Sequence, residues 1–196
     1  DDMPKDSLMI IDNETFTYQV IPNIKSHKTP QELNQYFAYS IKISEEINKH
    51  NLDTMAIADN DTAKIAPKKK NSSKKRDALV LYNLKTQKQD TLFNTKEYLF
   101  NKYGNSFAAT IEPDKKDSTD TPGVLFIDLD KFNKKRVSTD KREYKSLRFD
   151  DKGEQLTYLS TPDTSKIEQK VYDIRYFNIK ADTAIVLADT SKVTLP

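Results

Sequence analysis

Internal repetition constrains this chain more than any other feature. Asn34-Gln-Tyr-Phe-Ala-Tyr39, Gly104-Asn-Ser-Phe-Ala-Ala109 and Gly153-Glu-Gln-Leu-Thr-Tyr158 share one pattern. Each has a turn residue, two polar residues and an apolar start. A second pattern, an apolar run ending near Asp or Asn, covers Leu79–Leu84, Val124–Leu129 and Asp173–Ile179, with Leu8–Asp12 as a fourth copy. Its Asp or Asn falls at 12, 83, 128 and 178, so the intervals are 71, 45 and 50 residues. A β-rich run follows about eight residues later each time: Tyr18–Ile21, Thr91–Phe93, Arg136–Ser138 and Ala184–Leu187.

Repeats of about 40–50 residues built from short strands are the signature of propeller blades, each four antiparallel strands. The intervals of 45 and 50 fit; the interval of 71 contains an insertion. Ser44–Asp77 has no alternation and holds Pro67-Lys-Lys-Lys-Asn-Ser-Ser-Lys-Lys-Arg76, so it reads as a long surface loop between the second and third strands of one blade. Ser44–Leu52 within it could form a short helical turn. Tyr144–Phe149 alternates apolar and polar, as a half-buried strand should, and Asp150-Asp-Lys-Gly153 follows as a turn. Val124–Leu129 is continuously apolar, as expected of a strand covered on both faces. Asn83 and Asp128 stand where the third strand turns into the fourth, where their side chains can bond the turn backbone. The expectation is an all-β fold: a partial propeller spanning 1–196, with blades over 24–93, 96–138 and 143–188 and a lone strand pair over 7–21. Closed propellers need four to eight blades. The chain is therefore expected to be a portion of a longer ring, whose exposed edges and apolar faces invite self-association.

Composition removes several alternatives. Thirty-two basic residues nearly balance 30 acidic ones, for a net charge of +2, so nothing global demands nucleic acid or an anionic membrane. Mean hydropathy is −0.79, which suits short strands separated by polar turns, and the 10% aromatic content argues against disorder. No apolar run approaches the ~20 residues of a membrane helix. Asp1–Asp6 is acidic and lacks the apolar core of a signal peptide. The absence of cysteine excludes disulfides and thiol chemistry.

The run Glu143–Ser160, an aromatic strand, an Asp-x-Gly-type turn and an apolar strand, resembles the WD40-like or TolB-like blade signature. Tyr172–Asn178 with Asp182–Asp189, and Asp77–Thr86 after a Lys-rich loop, resemble the blades of bacterial serine peptidases of the prolyl oligopeptidase family. The similarity extends from about residue 7 to 196. It implies an N-terminal propeller that limits and orients peptide access to a Ser–Asp–His triad in an α/β-hydrolase domain of the same polypeptide. It also implies a periplasmic or secreted location and no cofactor. The alternative is a stand-alone TolB-like propeller that binds protein or glycan.

The chain's own residues offer no catalytic set. The family's nucleophile sits in a Gly-x-Ser-x-Gly elbow, and neither Gly104, Gly123 nor Gly153 flanks a serine in that way. His27 and His50 read as surface histidines, and nothing near Ser26, Ser40 or Ser44 suggests an oxyanion hole. Asp59 with Asp61, and Asp114, Asp117 and Asp120, lack the ligand spacing of a calcium loop and read as solvated loops. Lys68, Lys69, Lys70, Lys74, Lys75 and Arg76 form a basic loop without interleaved aromatic residues, unlike single-strand nucleic-acid binders. Tyr82, Phe100, Phe126, Phe149 and Tyr176 are expected in the core. Tyr36, Tyr103 and Tyr172 lie near turns and could line a binding rim.

Overall fold

Strand-forming runs separated by Asx turns fold here into four antiparallel sheets. The computed structural model describes residues 6–32, 35–42, 77–113, 121–165 and 170–189. β1 (Leu8–Ile11) and β2 (Tyr18–Ile21) form a two-stranded sheet. Sheet one contains β3 (Ile24–Lys28), β4 (Tyr36–Lys42), β5 (Asp77–Asn83) and β6 (Gln89–Phe93) in sequence order. Sheet two contains β7 (Thr95–Phe100), β8 (Ser106–Ile111), β9 (Gly123–Asp128) and β10 (Asn133–Ser138). Sheet three contains β11 (Glu143–Phe149), β12 (Gln155–Thr161), β13 (Asp173–Asn178) and β14 (Ile185–Ala188). No helix occurs among the described residues, and the expected helical turn at 44–52 lies outside them. The expected all-β architecture is what the structure shows: a partial propeller.

The Asx positions hold the hairpins together as their spacing suggested. Asp12 Oδ1 accepts from the backbone N–H of Glu14 (2.8 Å) and Thr15 (3.0 Å). Asn83 Oδ1 does the same for Lys85 and Thr86, and Asp128 Oδ1 for Asp130 and Lys131. Asn178 Oδ1 accepts from Lys180. Four residues beyond the first three of these, Phe16, Gln87 and Phe132 adopt φ of 54°, 57° and 51°. A left-handed residue at this place closes the loop so that the strands can twist together. None of the three is glycine, so each loop carries a modest backbone cost that its Asx bonds offset. The turn from β7 to β8 and that from β11 to β12 form a matched pair. Asn101 Oδ1 accepts from Asn105 and Ser106, and Asp150 Oδ1 from Glu154 and Gln155. Gly104 (φ 70°) and Gly153 (φ 69°) supply the left-handed residue in each.

The core lies between successive sheets. Residues directly opposite in an antiparallel ladder share a face, so each strand sends alternate residues to the two neighbouring sheets. Leu8, Ile10 and Ile21 pack on Phe37, Tyr39, Val80 and Tyr82. Tyr36, Ala38, Leu79 and Leu81 on the other face of sheet one meet Phe107, Ala109, Leu125 and Ile127 of sheet two. Ala108, Val124 and Phe126, on the far face of sheet two, meet Tyr144, Leu147, Leu156, Tyr158 and Phe177 of sheet three. Every residue of β8 is buried, as is the run Gly123–Ile127 of β9, because sheet two is covered on both faces. Aromatic contacts stitch these layers: Phe126 lies 5.3 Å from Phe177 and 6.5 Å, edge-on, from Phe149. Of the expected core aromatics, Tyr82, Phe100 and Phe126 are buried and Phe149 packs against the core, while Tyr176 is only half-buried on the outer face of sheet three.

Candidate functional site

The first strands of the three four-stranded sheets all begin at one end of the molecule. The same end receives the last residues of β4, β8 and β12 and the first of β5, β9 and β13, by the pairings Lys42 with Asp77, Ile111 with Gly123 and Ser160 with Asp173. Two of the first strands begin identically. Asn23 (φ 62°) precedes β3 and Asn94 (φ 57°) precedes β7, and in each strand the ladder slips by one residue immediately afterwards. The residue left out of register is a lysine, Lys25 in β3 and Lys96 in β7. A bulge re-aims the side chain of its extra residue, and both ammonium groups reach carboxylates at this end. Lys25 pairs with Asp77. Lys96 Nζ stands 3.2 Å from Glu143 and 3.5 Å from Glu112, and Lys170 Nζ stands 2.5 Å from the other oxygen of Glu143.

Two clefts open between these groups. The first, about 460 Å³, is bounded by Lys25, Asp77, Thr95, Lys96 and Glu112, with Ser26, Ser40 and Tyr98 on its wall. The second, about 540 Å³, shares Lys96 and Glu112. It has an apolar lining of Ile111, Pro113, Pro122 and Tyr144 and a rim of Arg142, Glu143 and Lys170. Arg142 is itself held at 2.5 Å by Asp173, and Arg175 joins Ser160 (3.1 Å) to Asp140 (2.9 Å) behind it.

The charges tune one another. The hydrogen bond from Lys170, with Lys96 on the other oxygen, holds the Glu143 carboxyl below the usual glutamate range despite some burial. That bond in turn raises Lys170. Burial works against the charge on Lys96, but its bonds to Glu143 and Glu112 outweigh that and raise it. Burial raises Tyr98, opposed by its hydroxyl partners Ser26 and Ser40. The Ser26 hydroxyl lies 2.7 Å from Ser40 Oγ and 2.9 Å from Tyr98 OH. Its partners are therefore hydroxyls, whereas a serine nucleophile needs a base that takes its proton. His27 is exposed on β3 and directly opposite Tyr39. The arrangement offers paired charges, hydroxyls and an apolar floor.

The three rim tyrosines are not brought together. Tyr36 is buried and stacks at 6.4 Å and 18° on Phe132, so its expected place on a rim is corrected: the start of β4 faces sheet two, where an aromatic ring fills the interface. Tyr103 is exposed in the turn after β7, at the end opposite the clefts, with the Lys102 ammonium 5.6 Å from its ring centre. Tyr172 lies at the cleft end, half-buried under Lys145 Nζ at 3.7 Å. The basic loop Lys68, Lys69, Lys70, Lys74, Lys75 and Arg76 lies outside the described residues, as do His50, Ser44, Asp59, Asp61, Asp114, Asp117 and Asp120. Among the described residues no three metal-ligating side chains cluster, and no helix is long and apolar enough to cross a membrane. The cleft residues Lys25, Lys96, Glu112, Glu143 and Lys170 were not singled out from sequence. Their signal was present as Asn-x-Lys at 23–25 and again at 94–96, an interval of 71 like that from Asp12 to Asn83.

No family model matches the chain, and no curated protein matches it. Solved structures do. The β-propeller domain of the Trilobed protease from Pyrococcus furiosus, which has an open velcro topology, superposes with a TM-score of 0.52 at 13% identity. The match covers 83% of this chain and 41% of that one. The fold is shared. The tricorn protease also superposes with a TM-score of 0.52 at 12% identity, over 89% of this chain and 16% of that one. TolB from Acinetobacter baumannii matches over 94% of this chain and 38% of its own at 16% identity, with a TM-score of 0.46. The chain thus spans less than half the length of each of these structures.

Proposed function

We propose that this chain is a non-catalytic propeller region of a serine peptidase of the prolyl oligopeptidase type. It gates and orients peptides for an α/β-hydrolase domain of the same polypeptide, in a periplasmic or secreted setting. The three repeated units, over 24–93, 96–138 and 143–188, act as blades of one ring.

The observation that carries this reading is the pair of clefts at the end where the first strands begin. Lys96 and Glu112 border both, so an extended ligand can run from one to the other. A peptide presents backbone donors and acceptors, charged termini and apolar side chains. The clefts meet these with hydroxyls, with lysines and carboxylates in pairs, and with the floor of Ile111, Pro113, Pro122 and Tyr144. The shared fold with the propeller domain of a protease supports the same reading.

The decisive experiment has a chemical and a genetic arm. The isolated chain should not hydrolyse chromogenic proline- or alanine-containing peptides, and a serine-directed phosphonate should leave its mass unchanged. Labelling of any serine overturns the non-catalytic assignment. The reading frame beyond Pro196 should encode a Gly-x-Ser-x-Gly elbow followed by Asp and His. A frame without them makes this a TolB-like binding propeller instead.

A further inference from the structure

The internal repeat supplies a control for one residue of the first cleft. β3 and β7 begin alike, with Asn23-Ile24-Lys25 and Asn94-Thr95-Lys96, each a left-handed asparagine followed by a lysine slipped out of register. The middle residues hold the same place. Ile24 stands opposite Ile41 and Thr95 opposite Ile111, and both are half-buried. In sheet one the side chain there is apolar and packs on the cluster of Phe37, Tyr39, Val80 and Tyr82. The fold itself therefore requires no hydroxyl at this position.

Thr95 brings one nonetheless and leaves it unmatched. Its Oγ1 is buried and has no hydrogen-bond partner among the described residues. Thr95 lines the first cleft, where the other hydroxyls are engaged, Ser26 with both Ser40 and Tyr98. A buried hydroxyl without a partner costs a folded chain stability, and such a group in a native structure points to a role. The backbone around it is fixed. Asn94 has φ of 57°, its carbonyl accepts from the Glu112 N–H at 2.8 Å, and the ladder slips immediately after Thr95. Costly conformations of this kind gather at ligand sites. The chemistry of a fitting partner follows from the charges of the cleft. Lys25 and Lys96 border it with Asp77 and Glu112, two of each sign, and Lys25 is held by Asp77 and Lys96 by Glu112. Neither sign is favoured, so a neutral polar group fits best, and a peptide amide offers both a donor and an acceptor.

We propose that Thr95 binds the main chain of a peptide in the first cleft: rotation about its Cα–Cβ bond turns the hydroxyl toward an amide of an extended ligand lying there. The staggered positions of a threonine side chain make that turn available. The contact reads the backbone and not the side chains, so it holds peptides of differing sequence. This rests on the peptide-binding reading given above and adds to it the group that is recognised.

NMR titration and urea unfolding of the whole chain test this with one substitution. The probe is acetyl-Ala-Ala-Pro-Ala-amide, whose blocked ends carry no charge, and shifts of the Thr95, Glu97 and Glu112 backbone amides report its binding. Thr95→Val should raise the urea midpoint, because the unpaired hydroxyl is gone and the fold already accepts an apolar side chain at this place in β3. The same substitution should weaken probe binding roughly three- to tenfold, the range of one neutral hydrogen bond. Thr95→Ser keeps the hydroxyl and should bind within about twofold of the parent. A midpoint that stays or falls in Thr95→Val means that the hydroxyl is already paired in the free chain and overturns the proposal. A raised midpoint with unchanged affinity also overturns it, while leaving the peptide-binding reading intact. A parent chain whose amides do not move at millimolar probe overturns the peptide-binding reading and the proposal with it.

Discussion

Replacing Gly153 by alanine should destabilise the fold by about 2–5 kcal/mol, and the figure can be assembled from two sources. The backbone at Gly153 has φ of 69°, a conformation that costs a residue with a Cβ about 1–2 kcal/mol. The added Cβ would also press on Asn101, clashing with Nδ2 and standing 3.0 Å from Cγ and 3.1 Å from Cβ. Asn101 is 2% exposed and cannot swing into solvent. Its amide nitrogen donates to Asn105 Oδ1 at 2.6 Å, and its oxygen accepts from two backbone N–H groups that hold the β7–β8 turn. Moving it breaks one or more of those bonds, at about 1–3 kcal/mol for a buried polar group left unpaired. Equilibrium unfolding in urea, followed by circular dichroism or tyrosine fluorescence since the chain has no tryptophan, measures the sum. The Asn101→Ala background separates the sources. There the clash with the amide is gone and only the 3.1 Å contact with Cβ persists, so Gly153→Ala should cost about half as much. A loss below about 1 kcal/mol in the parent chain, or an equal loss in both backgrounds, would refute this reasoning.

Three further outcomes follow from the same geometry. Glu97 accepts from the backbone N–H of Ser146 (2.7 Å) and Leu147 (3.1 Å) at the bulge in β11, tying sheet two to sheet three. Glu97→Ala should therefore cost about 1–3 kcal/mol by urea denaturation, with Glu97→Gln intermediate. Glu143 has its carboxyl held below the usual glutamate range. The stability it lends is present above the unfolded-state value and is lost as pH falls through the folded-state one. Glu143→Gln should flatten the acid limb of a stability–pH curve in that window. Burial pushes Tyr158 and Tyr39 up to about 12 from 10.0, so the stability tied to their neutral forms is full below pH 10 and drains as pH rises toward 12. Tyr158→Phe should lower stability at neutral pH, because Ser138 loses its 2.6 Å partner, yet shallow the alkaline limb; an unchanged limb would contradict the assignment.

Features encoded within a few residues were legible from sequence. The Asx residues at 12, 83, 128 and 178 could be read because their bonds reach only two or three residues along the chain. Gly153 could be read because a left-handed turn position favours glycine. Phe16, Gln87 and Phe132 could not, since ordinary residues occupy that conformation under the constraint of a hairpin already closed. Tyr36 was misread because nearness to a turn in sequence says nothing about which neighbouring sheet a side chain faces. The clefts escaped for a related reason. Lys25, Lys96 and Glu143 belong to three different sheets, and the bulges that aim the two lysines appear in sequence only as a repeated Asn-x-Lys.

The sheets pack in single file, and that has a consequence for how the molecule comes apart. In a linear array each unit is stabilised by itself and by its immediate neighbours. Among the described residues, sheet two alone has a four-stranded neighbour on either side. The two-stranded sheet leans on one neighbour, and β14 is exposed along its whole length. Amide protons of β8 and β9 should thus exchange last, through global opening, and those of β1, β2 and β14 first, through local fraying. The unfolding free energy of this chain is a profile along the sequence, highest at its centre, and a single midpoint reports only the sheets that melt together.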